Sequence, residues 1–446
     1  MSVALDMAPR RPWWRLPARI AAALMAGLVL LVVLMFDLRP RALPPAPPDA
    51  LTAERARDLL GRLRALVVTE ARDGRVTATA AEIDAGLASL GRMVPGLSGL
   101  SDVGPEGVAI DLSIGAPLLP GPVWLNLRGR LAPSETGLRL DSLWIGSLPL
   151  PPALAQAAAR RALDRLLGDG FGSIAMGAVS GVTVDPPEVA VTLDFRDEAG
   201  RAFFERLRTR LRSAAGAPDN PRRVHVQLYY LGEDAAAGRL PSRGSALPWL
   251  AEAVRNALAS RESAPPADEL RDALFALALT CGDAEFGAAI GARLPERMTG
   301  AGNPCAGLTL SGRKDLRQHF VMSAAIYAAS TRSAVMGVGE LKELLDTTGG
   351  GTGFSFDDMA ANLSGARFAA TFLSAPPESW PGMLEALTSE TAILPAIDDL
   401  PTQLSATDFA ARFGGLDSPE YAAMVAEIER RVAALPLHAG RAGAQP

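Results

Sequence analysis

Residues 313–368 read RKDLRQHFVMSAAIYAASTRSAVMGVGELKELLDTTGGGTGFSFDDMAANLSGARF. Small and apolar residues return every three or four positions along three successive runs, which predicts three helices. The first runs from about Lys314 to Ser330 and sets His319 and Ser323 one turn apart. Ser333 caps the second, Ala334 to about Thr348, which carries Glu340, Glu343 and Asp346 at three-residue spacing. Gly349 to Gly353 form a turn. Ser355 and Asp358 then predict a cap for a third helix, on which Asp358, Asn362 and Gly365 share one face.

If the first two helices form a hairpin about Arg332, His319 lies 13 residues before the turn and Glu343 11 after it. At 1.5 Å per residue both stand roughly 16–20 Å from the turn, nearly level with each other. Gly337 and Gly339 would each cost roughly 1 kcal/mol against Ala inside a helix, so another backbone is expected to approach closely there. The candidate metal ligands are therefore His319, Glu343, Asp346 and Asp358, for a divalent ion. His319, Glu343 and Asp358 are also the candidate catalytic acid and base groups. The leading reading is nevertheless a buried hydrogen-bonded network in which His319, Glu343 and Asp358 fix the three helices, with metal binding and catalysis as its rivals. No HExxH, GxSxG or Walker motif is present, and no other cofactor is expected.

The run Lys342-Glu343-Leu344-x-Asp346, then Gly351-Thr352-Gly353-Phe354-Ser355-Phe356-x-Asp358 and Gly365, resembles the YfiM-like envelope lipoproteins at matching spacing. Lys314, His319-Phe320 and Ser323-Ala324 upstream fit as well. A fainter similarity links the segment to VanZ-like membrane proteins, which share an HF, a Glu and a late D-x-x-x-N-x-x-G. YfiM-like proteins usually carry an acidic residue where Asn362 stands. The resemblance spans about 55 residues; it implies a fold segment and candidate positions, without a reaction.

Around this segment, strand signals nearly vanish from Asp219 onward, so residues 217–446 are expected to form an all-α domain. Helices are read at Trp249–Ser260, Pro266–Leu279 and Asp283–Leu294; Val224, Val226 and Leu228 alternate briefly, although Asp219 to Pro221 also make a good helix start. Cys281 and Cys305, the two cysteines of the chain, are most simply a disulfide in an oxidising compartment. His225 and His438 look incidental.

Residues 51–216 read as an α+β domain with a mostly antiparallel sheet. Leu51 to Val68 is a helix, and Thr79 with Glu82 is a capping-box start for another. Strands are read at Val108–Ile114, Val123–Leu131, Leu138–Ile145 with a bulge near Asp141–Ser142, Ile174–Val184 and Val189–Phe195. Helices are read from Pro152 to about Leu167 and from Glu198 to Ser213, the latter with a solvated or lipid-facing Arg side. TAAEIDAGLASL (79–90), WLNL (124–127) and LDSLWIGSLPLP (140–151) loosely resemble the YpmS-like membrane-anchored proteins over residues 51–195. That likeness implies lipid binding as one role.

Ile20 to Phe36 is a 17-residue run without charge, preceded by Arg10, Arg11, Arg15 and Arg19 and followed by Arg39 and Arg41. It is read as a transmembrane helix at 20–36, with a cytoplasmic N-terminus at 1–19 and a Pro-rich linker at 37–50. The expected fold is thus α+β overall: a transmembrane helix, an α+β periplasmic domain and a C-terminal all-α domain, in 446 residues with room for two to four domains. A net charge of −5 gives no basic surplus and excludes a nucleic-acid binder. The expected role is structural or interactive at the inner membrane and cell envelope, with lipid or another envelope protein as partner, leaning away from an enzyme. The rivals are a metal- or acid/base-dependent hydrolase of envelope lipid or glycan, and a lipid-binding module.

Overall fold

A computed structural model of the chain describes residues 15–43, 48–68, 73–116, 121–167, 170–194, 221–260, 264–282, 294, 298–330, 332–347 and 352–438. The first helix, α1 (Arg15–Met35), leads into a two-residue strand, β1 (Phe36–Asp37). Among the described residues no helix is long and apolar enough to cross a membrane. This corrects the expected transmembrane helix at 20–36 and the single-pass inner-membrane arrangement built on it. Most of the expected cytoplasmic segment, residues 1–14, lies outside the described residues.

The expected linker at 37–50 is not a free spacer at its start. Phe36 and Asp37 pair antiparallel with Leu125 and Trp124. The amides of Arg41 and Ala42 each donate to Ser113 Oγ at 3.0 Å, and Ser98 Oγ donates to Ala42 O at 2.7 Å. Buried Asn126 donates from Nδ2 to Asp37 Oδ2 (2.6 Å) and to Arg39 O (3.1 Å). Paired polar groups hold this segment where proline content alone suggests a detached chain.

Next come α2 (Ala50–Val68), β2 (Asp73–Thr79) and α3 (Ala80–Met93). Both halves of the Thr79–Glu82 capping box are present at the start of α3. The sheet strands follow: β3 (Leu97–Gly104), β4 (Gly107–Gly115), β5 (Trp124–Ala132), β6 (Arg139–Ile145) and β7 (Leu148–Leu150). They form an antiparallel path in chain order, with β1 attached to β5. The bulge falls where the phase slip in the sequence puts it: Arg130 pairs with Ser142 and Leu131 with Leu140, so Asp141 is the extra residue.

After α4 (Pro152–Leu167), the stretch read as one strand from Ile174 splits into a helix, α5 (Phe171–Ala178), and a strand, β8 (Val179–Asp185). The small residues of α5 let it nestle on α4; a Cβ on Gly172 would stand 2.1 Å from Arg160 O. β9 (Glu188–Asp194) pairs with β8 on one side and with β2 on the other in a second antiparallel sheet. The expected Arg-bearing helix at 198–213 lies outside the described residues.

The second half is helical. α6 (Pro221–Ala236) settles the ambiguity at Val224: Val224, Leu228 and Leu231 are buried at i, i+4, i+7. A short strand, β10 (Arg243–Ser245), precedes α7 (Leu247–Ala259) and α8 (Pro266–Cys281). The expected helix at 283–294 falls on residues outside the description, apart from Leu294. β10 pairs in parallel with β11 (Gly307–Thr309), so this half departs from purely α by a small ladder. Cys281, ending α8, is bonded to Cys305 just before β11, with Cα atoms 5.1 Å apart. Then come α9 (Lys314–Ala329), α10 (Arg332–Asp346), α11 (Phe356–Ser374), α12 (Trp380–Glu385), α13 (Ala406–Phe413) and α14 (Pro419–Ala433). One apolar core runs through this half, with Phe320, Phe354, Phe356, Phe368, Phe372, Trp249 and Trp380 fully buried.

Candidate functional site

Helices α9, α10 and α11 are the three helices expected from residues 313–368, and small residues bring them together. A Cβ on Gly365 would lie 2.1 Å from Phe320 O, so α11 crosses α9 nearly backbone to backbone. A Cβ on Gly339 would lie 2.8 Å from Asn362 Nδ2, so α10 admits the Asn362 side chain from α11. The Gly365 contact needs glycine; at Gly339 a side chain comes close where a backbone was expected, and the expected backbone approach to α10 falls at Gly337. Asp358, Asn362 and Gly365 share the inward face of α11 and are all buried.

This crossing brings His319, Glu343 and Asp358 into one buried group whose donor atoms all lie within 4.8 Å of one another. His319 Nε2 stands 3.4 Å from Asp358 Oδ2 and 3.9 Å from Glu343 Oε1. The opposite ring nitrogen, Nδ1, lies 3.1 Å from Asn362 Oδ1, which also accepts from Ser323 Oγ at 2.8 Å. An amide oxygen only accepts, so Nδ1 carries the imidazole proton and Nε2 turns its lone pair to the carboxylates.

Glu343 is fully buried. Its Oε2 accepts from the Ser355 amide at 3.0 Å, while Oε1 has no hydrogen-bond partner. Lys342 Nζ is 3.5 Å from that oxygen and 2.6 Å from Asp346 Oδ2. Asp346 thus pairs with Lys342 at the rim and stands outside the three-residue group. Arg313 binds Asp357 and Asp315, and its Nη2 reaches Asp358 Oδ1 at 3.3 Å.

Burial dominates the protonation of all three groups. It pushes Glu343 from an ordinary 4.5 up to about 8, Asp358 adding to the rise and Lys342 opposing it. It pushes Asp358 from 3.8 up to about 7, with repulsion from Asp357 and Asp315 behind it. His319 falls from 6.5 to about 4, again through burial first and then the nearby Lys342 ammonium.

Two expected details change. Ser355 occupies the N-cap position of α11 without a side-chain cap bond; its hydroxyl accepts from the Gln403 amide (3.1 Å) and Thr402 Oγ1 (3.2 Å). Asp358 serves no cap either, since it faces His319 and Arg313. Glu340, three residues before Glu343, meets Arg92 and Tyr421 instead. His438 is buried with Nδ1 2.9 Å from Thr371 Oγ1, so it belongs to the core and is not incidental. Residues 348–351 of the Gly-rich turn lie outside the described residues.

Sequence reasoning missed Arg313 and Asp357, because nothing in RKD or FDD tells a solvated charge from one that folds onto its neighbour. Arg92 was missed for a simpler reason: its partner is 248 positions away. No protein-family model, no curated protein and no solved structure matches this chain.

Proposed function

We propose that this chain binds one divalent cation of the Zn²⁺, Mn²⁺, Fe²⁺ or Co²⁺ type, with His319 Nε2 and the carboxylates of Glu343 and Asp358 as ligands. The observation that carries the reading is the buried imidazole Nε2, 3.4 Å from the Asp358 carboxylate and 3.9 Å from that of Glu343. Donors about 2.1 Å from a tetrahedral ion stand about 3.4 Å apart, close to the 3.4 and 3.9 Å separations here and longer than hydrogen bonds. An imidazole with two carboxylates suits borderline divalent ions better than Mg²⁺ or Ca²⁺. Glu343 Oε1 supports the same reading, because this buried carboxylate oxygen makes no hydrogen bond and has only the Lys342 ammonium at 3.5 Å to offset its burial.

Charge balance agrees. Five carboxylates, at 315, 343, 346, 357 and 358, surround the two cations of Arg313 and Lys342. When ionised they carry three surplus negative charges. The Asn362–His319 contact plays the outer-shell part that fixes the tautomer of a ligating histidine.

The ligands are 7% (His319), 0% (Glu343) and 5% (Asp358) exposed, so we assign the ion a bracing role across three helices in preference to turnover. The hydrolase reading keeps one specific support: three protein donors leave a coordination position for water. The test is elemental analysis of the purified full chain, then chelator stripping and calorimetric titration with Zn²⁺ and Mn²⁺. One equivalent bound by wild type and none by His319→Ala is expected. Absence of binding by the wild-type chain would sink the proposal.

A further inference from the structure

The helix that brings Glu343 to the site also packs against α3, from the sheet-bearing half of the chain. Gly337 marks the contact: a Cβ there would lie 2.8 Å from Met93 Cγ, 3.0 Å from Met93 N and 3.1 Å from Arg92 C. Three residues on, Glu340 is 3% exposed and takes a two-point bond from Arg92, Nε to Oε2 at 2.8 Å and Nη2 to Oε1 at 2.7 Å. Tyr421 of α14 donates to the same Oε1 at 2.8 Å, and Arg92 Nη1 reaches Asp417 at 2.6 Å. Glu343 follows Glu340 by three residues on α10, less than one turn. A forked guanidinium–carboxylate pair fixes both the rotation of a helix about its axis and its height along that axis.

We propose that Arg92 is a positioning residue for the metal site: by gripping Glu340 it sets the rotation of α10 and so the place of Glu343. The α+β half of the chain then completes the site without touching the ion. Because coupling between two binding events is reciprocal, the ion in turn tightens the seat of α3 on α10. This inference rests on the metal-binding reading above.

The experiment uses the full chain with Mn²⁺ as probe. Affinity is measured by calorimetry for wild type, Arg92→Met, Arg92→Lys and Glu340→Gln, each first checked for native circular dichroism. Arg92→Met should bind Mn²⁺ about tenfold more weakly, the lower end of what outer-shell losses produce. Arg92→Lys keeps the charge without the fork and should recover part of the loss. Glu340→Gln retains the shape and the Tyr421 contact, so it should fold if Arg92→Met does not, and should lose affinity in the same direction. Hydrogen exchange at residues 90–94 should slow on Mn²⁺ addition in wild type and not in Arg92→Met. A residue that only adds general stability would lower the melting temperature of its variant and leave the affinity of the folded molecules unchanged. Wild-type binding with unaltered affinity in the folded variants overturns this inference alone; no binding by wild type overturns it together with the reading on which it rests.

Discussion

Gly339 and Asn362 are fitted to each other across two helices: a side chain on the first would stand 2.8 Å from the amide nitrogen of the second. The oxygen of that same amide bonds His319 and Ser323. Gly339→Ala should therefore act at a distance from its own helix by displacing Asn362 and releasing the imidazole. Overpacking of this sort typically costs 1–3 kcal/mol, roughly, even after the gain in helix propensity. Urea unfolding should show that loss, and Zn²⁺ titration should show weaker binding; an equally stable, equally tight variant would contradict the described fit.

Glu343→Gln separates a metal ligand from a structural strut. The substitution removes a buried ionisable group while keeping its shape, so at pH 8 the chelator-treated variant should be at least as stable as chelator-treated wild type. Zn²⁺ should raise the melting temperature of wild type and leave that of the variant unmoved. If Glu343→Gln instead melts far lower than wild type with chelator present, a structural network of His319, Glu343 and Asp358 is the better description.

The protonation shifts give a signed pH dependence for the metal-free protein. Glu343 (ordinary 4.5, here about 8) and Asp358 (ordinary 3.8, here about 7) hold protons in the folded state that the unfolded chain has already released. Stability must fall as pH rises through that interval. His319 (ordinary 6.5, here about 4) works the other way and removes stability as pH drops from 6.5 to 4. Between pH 6.5 and 8 the carboxylates dominate, so denaturation in chelator should show a decline on the order of 2 kcal/mol. With Zn²⁺ bound the ionised carboxylates are wanted, and the decline should shrink or vanish. Metal-free stability rising over the same interval is the contrary result.

Lys342 is a partly exposed neighbour of the cluster, its ammonium 3.5 Å from Glu343 Oε1 and docked on Asp346. A fixed positive charge so close opposes a dication. Lys342→Met should tighten Zn²⁺ binding on the order of tenfold, as Coulomb repulsion in water at about 5 Å implies. Lower salt should widen the gap between variant and wild type. Weaker binding by the variant would mean that the lysine holds the site together.

Peptides containing Cys281 and Cys305 should be recovered joined in non-reducing mass mapping, and Cys281→Ser should lower stability by roughly 2–5 kcal/mol. The bridge also bears on the site. Arg317, buried two residues before His319, donates from Nη1 to Cys305 O at 2.5 Å and to Leu308 O at 2.9 Å. Loss of the bridge frees that carbonyl, so Zn²⁺ affinity should drop as well. Two free thiols in the purified chain would refute the pairing.

Much of the site was legible because its spacing is helical. His319 with Ser323, and Asp358 with Asn362 and Gly365, sit at intervals that only one face of a helix produces, and the hairpin arithmetic levelled His319 with Glu343. Local signals held elsewhere too: the Thr79–Glu82 box and the Asp141 bulge are decided by neighbours in the chain. What failed was decided far away. β3, with the Gly- and Ser-rich sequence LSGLSDVG, gives little strand signal of its own; it forms because β4 supplies its ladder and Leu87 and Leu112 close over Gly99. Glu340 and Glu343 look alike in sequence, yet one meets a guanidinium from α3 and the other an imidazole from α9. The apolar run at 20–36 carries the composition of a membrane segment, but composition alone does not establish a span.

The strapping of residues 36–42 onto the sheet makes the start of the α+β half a seam, and seams determine where a protein can be trimmed. A fragment beginning at residue 44 would remove the two amides bonded to Ser113 and the Asp37 and Arg39 oxygens that receive Asn126. It would also strip β1 from Trp124 and Leu125, the end of β5 that β6 does not reach, and leave their backbone groups on that side open to another chain. Such a fragment should clump, whereas one that opens before Phe36 keeps its own selvedge and should stay dispersed.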